Sequence, residues 1–141
     1  MSKNNKHSKA KKLLLDYRPA LWRRSALEAV PGMSQEVLRA CKEQISFTQA
    51  LVEVLRNNEP MGEKLYRIIH AAYMTDKQPG GVEETLDHIA KSYKPIPRRT
   101  YFRLKVLAVD ILDNHLVMMA KESALSEFNT MFSLGNQPEN I

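Results

Sequence analysis

Apolar residues recur along this chain every three or four positions, and β-branched residues never alternate over a useful length. That pattern predicts an all-α fold, a helical bundle. Leu13, Leu14, Tyr17, Leu21 and Trp22 mark a first run, which Pro19 is expected to break or kink. Pro31-Gly32 stops it. Ser34 is placed to cap a second helix, with Glu36 in its first turn. Val37, Leu38, Cys41, Ile45, Thr48, Leu51, Val52 and Leu55 give that helix one apolar stripe down to about Asn57. Asn58 and Pro60 suggest the start of a third, with Leu65, Ile68, Ile69, Ala72 and Tyr73 facing inward. TDKQPGG at 75–81 has loop composition.

Val82 to Ser92 reads as a short helix with Leu86, Ile89, Ala90 and Tyr93 inward. From Pro97 the pattern runs Tyr101, Leu104, Leu107, Ala108, Ile111, Leu112. It continues less cleanly through Met118, Met119, Leu125, Phe128 and Phe132. One long helix or two would satisfy it. The organisation expected is a basic, flexible arm at 1–12, a helical scaffold at 13–57, and a helix-turn-helix region at 58–116. A C-terminal helix at 117–134 is a candidate dimer contact, and 135–141 is expected to be a frayed tail.

The stretch HIAKSYKPIPRRTYFRL, residues 88–104, carries the functional signal. A helix-turn-helix needs an apolar first helix with a small residue at the crossing. It also needs a short turn, and polar or basic side chains at the start of the second helix. Ile89 and Ala90 offer the first, Lys94-Pro95-Ile96 the second. Pro97 suits a first helical turn, where its missing N–H costs nothing. Arg98, Arg99, Thr100 and Arg103 then fall outward while Tyr101 and Leu104 turn inward. Arginine can grip phosphate or take guanine O6/N7 with two hydrogen bonds, and threonine can meet a phosphate or a thymine methyl. Lys94 and Lys105 are candidate phosphate contacts. The competing reading is a plain solvated helix face.

Charge supports the first reading. The net charge is +5, and residues 1–12 alone carry five lysines and no acid. Residues 94–105 carry Lys94, Arg98, Arg99, Arg103 and Lys105, again with no acid. The rest of the chain is therefore acidic, and the positive charge is concentrated in two places, as in polyanion binders. A lysine-rich terminus by itself is equally a solvated tail.

Other chemistries lack their signatures. There is one cysteine, so neither a disulfide framework nor a Cys-based zinc site forms within the chain. No glycine-rich phosphate loop is present, and His7, His70, His88 and His115 have no metal-binding spacing. Glu83, Glu84 and Asp87 suit the first turn of a helix without any catalytic role. Neither a secretory leader nor an apolar run of membrane-spanning length is apparent. The expectation is a cytoplasmic protein that is not an enzyme and uses no cofactor and no metal.

EKLYRIIHAAYM, VEETLDHIAKSY and IPRRTYFRLKVLAVDIL together resemble the DNA-binding region that closes bacterial sigma factors. More closely, KKLLLDY near the start and PRRTYFRLKVLA near the end resemble the ArpU family of phage-type transcriptional regulators, over roughly residues 9–116. Two departures stand out. The turn is one residue longer than the family's single glycine, and Pro97 replaces an N-capping serine. The resemblance implies control of late or lysis-type genes of a phage or prophage. The expected partners are double-stranded DNA, RNA polymerase and a second copy of the chain, with no membrane. Two alternatives are a phage DNA-packaging subunit of the small-terminase kind, and a helical adaptor that docks on RNA polymerase or a sigma factor without holding DNA.

Overall fold

The computed structural model describes residues 8–136, with side chains through Glu127. Among these residues there are six α-helices and no strand. They are α1 (Lys9–Leu15), α2 (Tyr17–Ala29), α3 (Gln35–Glu53), α4 (Gly62–Ile69), α5 (Val82–Ser92) and α6 (Arg98–Asn136). A 3₁₀ turn, Val54–Asn57, extends α3, and a π turn, His70–Met74, extends α4.

Helix α1 starts inside the stretch expected to be a flexible arm. Ser8 caps it, accepting from the Lys11 N–H at 2.9 Å. Ala10 is buried, and its N–H donates to Asp113 Oδ1 on α6 at 2.9 Å. The arm reading is therefore corrected for residues 8–12, and residues 1–7 lie outside the described residues. The break between the first two helices falls at Asp16, not at Pro19. Pro19 is the third residue of α2, and the first i→i−4 bond there runs from Ala20 N–H to Asp16 O at 2.9 Å. Its missing N–H would have found no helical acceptor, so the proline is harmless. The Asp16 carboxylate accepts from Arg23 and Gln44, tying α1, α2 and α3 at one point.

Gly32, with φ +77°, turns the chain between α2 and α3. The two helices then pair along their length. Gln49 donates to the Tyr17 hydroxyl at 2.8 Å, and the buried Cys41 thiol donates to Ala20 O at 3.4 Å. Ser34 occupies the N-cap position of α3, but its side chain caps no N–H. Two apolar residues of the sequence stripe stay outside: Trp22 and Val37 are exposed.

Helix α4 begins at Gly62, later than Asn58 and Pro60 suggest. The reason is a close approach: the Gly62 α-carbon faces the carbonyl oxygens of Leu55 and Arg56 in the 3₁₀ turn, where a side chain would collide. At its far end the π turn adds a residue to the helical repeat and rotates the buried face. Ala71, Tyr73 and Met74 are consequently sealed, while Ala72 is only half-buried.

Helix α6 is one continuous helix, which settles the one-or-two question. Residues 135–136 belong to it, and 137–141 lie outside the described residues. Tyr101, Leu104, Ala108, Val109 and Leu112 enter the core against α4 and α1. Past Leu116 the described side chains are exposed. The core is one contiguous cluster from Ala10 to Leu112, and burial at this density is what holds short helices such as α1 and α4 in place.

Candidate nucleic-acid interface

Helix α5 and the start of α6 are joined by residues 93–97, in which Ile96 is buried. Ile96 anchors the turn from inside, with Tyr93 packed against the core beside it. Tyr101 N–H donates to Pro97 O at 2.9 Å, so α6 is hydrogen-bonded from its first turn. Thr85 on α5 and Tyr101 on α6 are both buried. Ala90, expected at a tight crossing with α6, is only half-buried. Helix α5 makes its closest backbone approach to the 70–74 π turn and meets α6 through side chains.

The six candidate residues separate into distinct environments. Arg99 and Arg103 stand one helical turn apart, exposed on the side of α6 opposite Tyr101 and Leu104. Neither is in an ion pair among the described residues. Arg98 is exposed as well but is engaged: its Nη1 contacts Glu83 Oε2 on the first turn of α5. Its guanidinium also lies 5.6 Å from the Phe102 ring centroid. Lys94 is exposed in the turn, 5.1 Å from the Tyr93 ring. Thr100 is half-buried, so it does not share the outward face with the arginines.

Lys105 departs furthest from expectation. Its ammonium lies 5.2 Å from the Tyr73 ring and 5.7 Å from the Tyr101 ring, half-buried between α6 and the π turn. Burial, followed by the charge of Lys11, holds its pKa below the ordinary lysine value. An α-helix turns about 100° per residue, so Lys105 points about 160° away from Arg103. It is corrected from an outward phosphate contact to a cation clasped by two tyrosines. Burial pushes the Tyr73 hydroxyl up to about 12, so it stays protonated beside the lysine.

The Lys11–Lys105 interaction carries a second consequence. Because α1 packs on α6, Lys11 of the first basic stretch comes near Lys105 of the second. Lys9 and Lys12 are exposed there. Helix α1 thus lies against the middle of α6, with Ala10 bonded to Asp113, and not beside the Arg99 and Arg103 face at its start.

Placing Arg98 and Arg99 in the first turn of α6 does nothing for the helix. The macrodipole makes that end positive and favours acids there, and the first turn of α6 has none. Glu83 offsets one of the two charges and leaves the other. A cationic helix start is the arrangement that an external anion would stabilise. On the α5 side, Glu84 is used internally, accepting from Gly80 N–H at 2.6 Å.

One buried, positioning side chain was missed by sequence reasoning. Arg18, only 7% exposed, reaches across from α2 to close the end of the π turn. Its Nε donates to Thr75 O and its Nη2 to Thr75 Oγ1, both at 2.8 Å. It positions the 70–74 segment on which α5 rests. An arginine one residue before a proline gives no sequence signal of burial.

Among the described residues no His, Cys, Asp and Glu side chains are grouped to hold a metal ion, and no helix is long and apolar enough to cross a membrane. No protein-family model, curated protein or solved structure matches the chain.

Proposed function

We propose that this chain is a sequence-specific regulator that binds double-stranded DNA, with the first two turns of α6 as the reading edge. The observation that carries the reading is the pair Arg99 and Arg103: exposed, on one face, without an acidic partner among the described residues, at a helix end where cations are otherwise unfavourable. In a major groove the N-terminal end of such a helix is nearest the base edges, and arginine there takes guanine bidentately. Lys94, exposed in the turn that precedes α6, stands where a flanking phosphate would run. The finer assignment, control of late or lysis-type phage genes together with RNA polymerase, rests on the resemblance to ArpU-like regulators. Electrophoretic mobility shift against selected duplexes and against scrambled duplex of equal length tests it. Retention of selected sequences at a salt concentration that releases scrambled DNA is the expected result. Equal retention of both would overturn it.

A second reading is favoured by a separate feature. Val117, Met118 and Leu125 are 51%, 59% and 59% exposed along the part of α6 that projects past α1. An unpaired helix of this kind is marginal in water. An apolar, projecting helix joined to a DNA-binding end is the design expected of a packaging subunit that assembles into a ring. The same face would serve a regulator as its dimer contact. Mass measured in solution by light scattering separates a dimer from a ring. An adaptor without DNA affinity predicts no shifted band at all.

A further inference from the structure

Glu83 and Arg98 are in contact between the first turn of α5 and the start of α6. The pair is open to water, with side-chain exposures of 57% for Arg98 and 79% for Glu83. Exposed pairs of this kind contribute little to stability. The contact is therefore easily exchanged for another anion. A carboxylate and a phosphate offer arginine the same two-oxygen acceptor. Glu83 is not the only acid at the start of its helix: Glu84 stands beside it and accepts from Gly80 N–H.

We propose that Glu83 is an internal competitor of DNA phosphate that occupies Arg98, leaving Arg99 and Arg103 as the outward readers. The inference rests on the DNA-binding reading above. In the free protein Arg98 is turned along α6 toward Glu83, with its guanidinium near the Phe102 ring. Any backbone phosphate that approaches the start of α6 must displace the Glu83 carboxylate and accept a negative charge beside it. The restraint falls on phosphate contact, the part of DNA affinity that carries no sequence information. Arg98 is accordingly a reserve phosphate contact, and Glu83 sets how readily it is released.

The test uses the full chain and a scrambled duplex, with dissociation constants measured over a series of salt concentrations. Glu83→Gln keeps the side chain's size and removes its charge. The expected result is about fivefold tighter binding, the factor equivalent to roughly 1 kcal/mol. The salt slope should steepen by about 0.9, the increment for one more neutralised phosphate. Adding Arg98→Ala to Glu83→Gln should return the slope to the parent value. A Glu83→Gln protein that binds with the parent's affinity and slope overturns the proposal, and so does a double variant that keeps the steeper slope. A merely structural role for Glu83 would weaken binding, which is the opposite sign. If the parent discriminates selected from scrambled duplex while Glu83→Gln changes nothing, only this proposal fails. If the parent retains no duplex, the reading beneath it fails too.

Discussion

Arg18 on α2 and Thr75 at the end of the π turn are joined by two hydrogen bonds of 2.8 Å, one to the backbone carbonyl and one to the hydroxyl. Fifty-seven residues separate them. The buried guanidinium supplies donors where the helix ending at Met74 has carbonyls without intrahelical partners. A third, longer bond reaches Ala72 O at 3.4 Å. These bonds hold the end of the π turn, where the loop that leads into α5 begins.

Arg18→Ala should therefore destabilise the fold by about 2–4 kcal/mol, since hydrogen bonds to a charged group contribute ~1.5–3 kcal/mol and the Thr75 carbonyl would lose its partner. Arg18→Lys should rescue little, because an ammonium cannot span two acceptors as the planar fork does. Urea denaturation followed by far-UV circular dichroism measures both. A parent-like midpoint for Arg18→Ala would show that the bonds contribute nothing net.

Gly62 is expected to tolerate no side chain. A Cβ there would meet the backbone oxygen of Arg56 and lie 2.7 Å from that of Leu55, and neither is a flexible group that can move aside. The helix gains ~0.5–1 kcal/mol from alanine over glycine in an interior position, but overpacking of this kind costs ~1–3 kcal/mol. Gly62→Ala should lower the melting temperature. A raised one would show that α4 can retreat from the 3₁₀ turn freely.

Stability should begin to fall as the pH drops below about 6.5, and His70 contributes to that fall. Its ring stacks on Tyr66 at 5.8 Å. Burial, then the positive charges of His88, Arg67, Arg56 and Arg18, hold its pKa below the ordinary 6.5. As pH drops, the unfolded chain takes up this proton at the ordinary value while the folded chain still resists it. Protonation thus favours unfolding, so stability present above about pH 6.5 is lost downward and levels off below the depressed folded value. Denaturation midpoints for the parent and His70→Gln across this window should diverge. The variant's curve should be flatter there. Parallel curves would assign the acid sensitivity elsewhere.

For recognition, Arg99→Ala and Arg103→Ala should each cost about 1–3 kcal/mol on a selected duplex and much less on scrambled DNA, collapsing discrimination. Lys94→Ala should weaken both alike and reduce the salt slope by about 0.9. Lys105→Ala should act differently from all of these, lowering the melting temperature while leaving the salt slope unchanged, because its ammonium is clasped by Tyr73 and Tyr101. Fluorescence anisotropy at several salt concentrations, paired with thermal melts, reads out each arm. A parent-like specificity ratio in both arginine variants would remove α6 from the role of reader.

The amino-acid sequence by itself determined what depends on near neighbours along the chain. Helical periodicity marks α3, the bounds of α5, the inward set Tyr101, Leu104 and Ala108, and the outward pair Arg99 and Arg103, because each is a matter of about 100° per residue on one helix. The burial of Ile96, which lies in the turn and outside any helical period, follows instead from its apolar side chain. Tertiary structure alone decided the rest. Glu83 and Arg98 are fifteen residues apart, and only the return of α6 beside α5 brings them together. Helical register already puts Lys105 on the Tyr101 side of α6, but only the π turn lays Tyr73 against it. Lys9 to Lys12 read as a loose arm until α6 supplies a groove for Ala10 and a carboxylate for its N–H. Charge is visible in a sequence, whereas what neutralises, buries or gathers that charge is set by which distant segment packs against it.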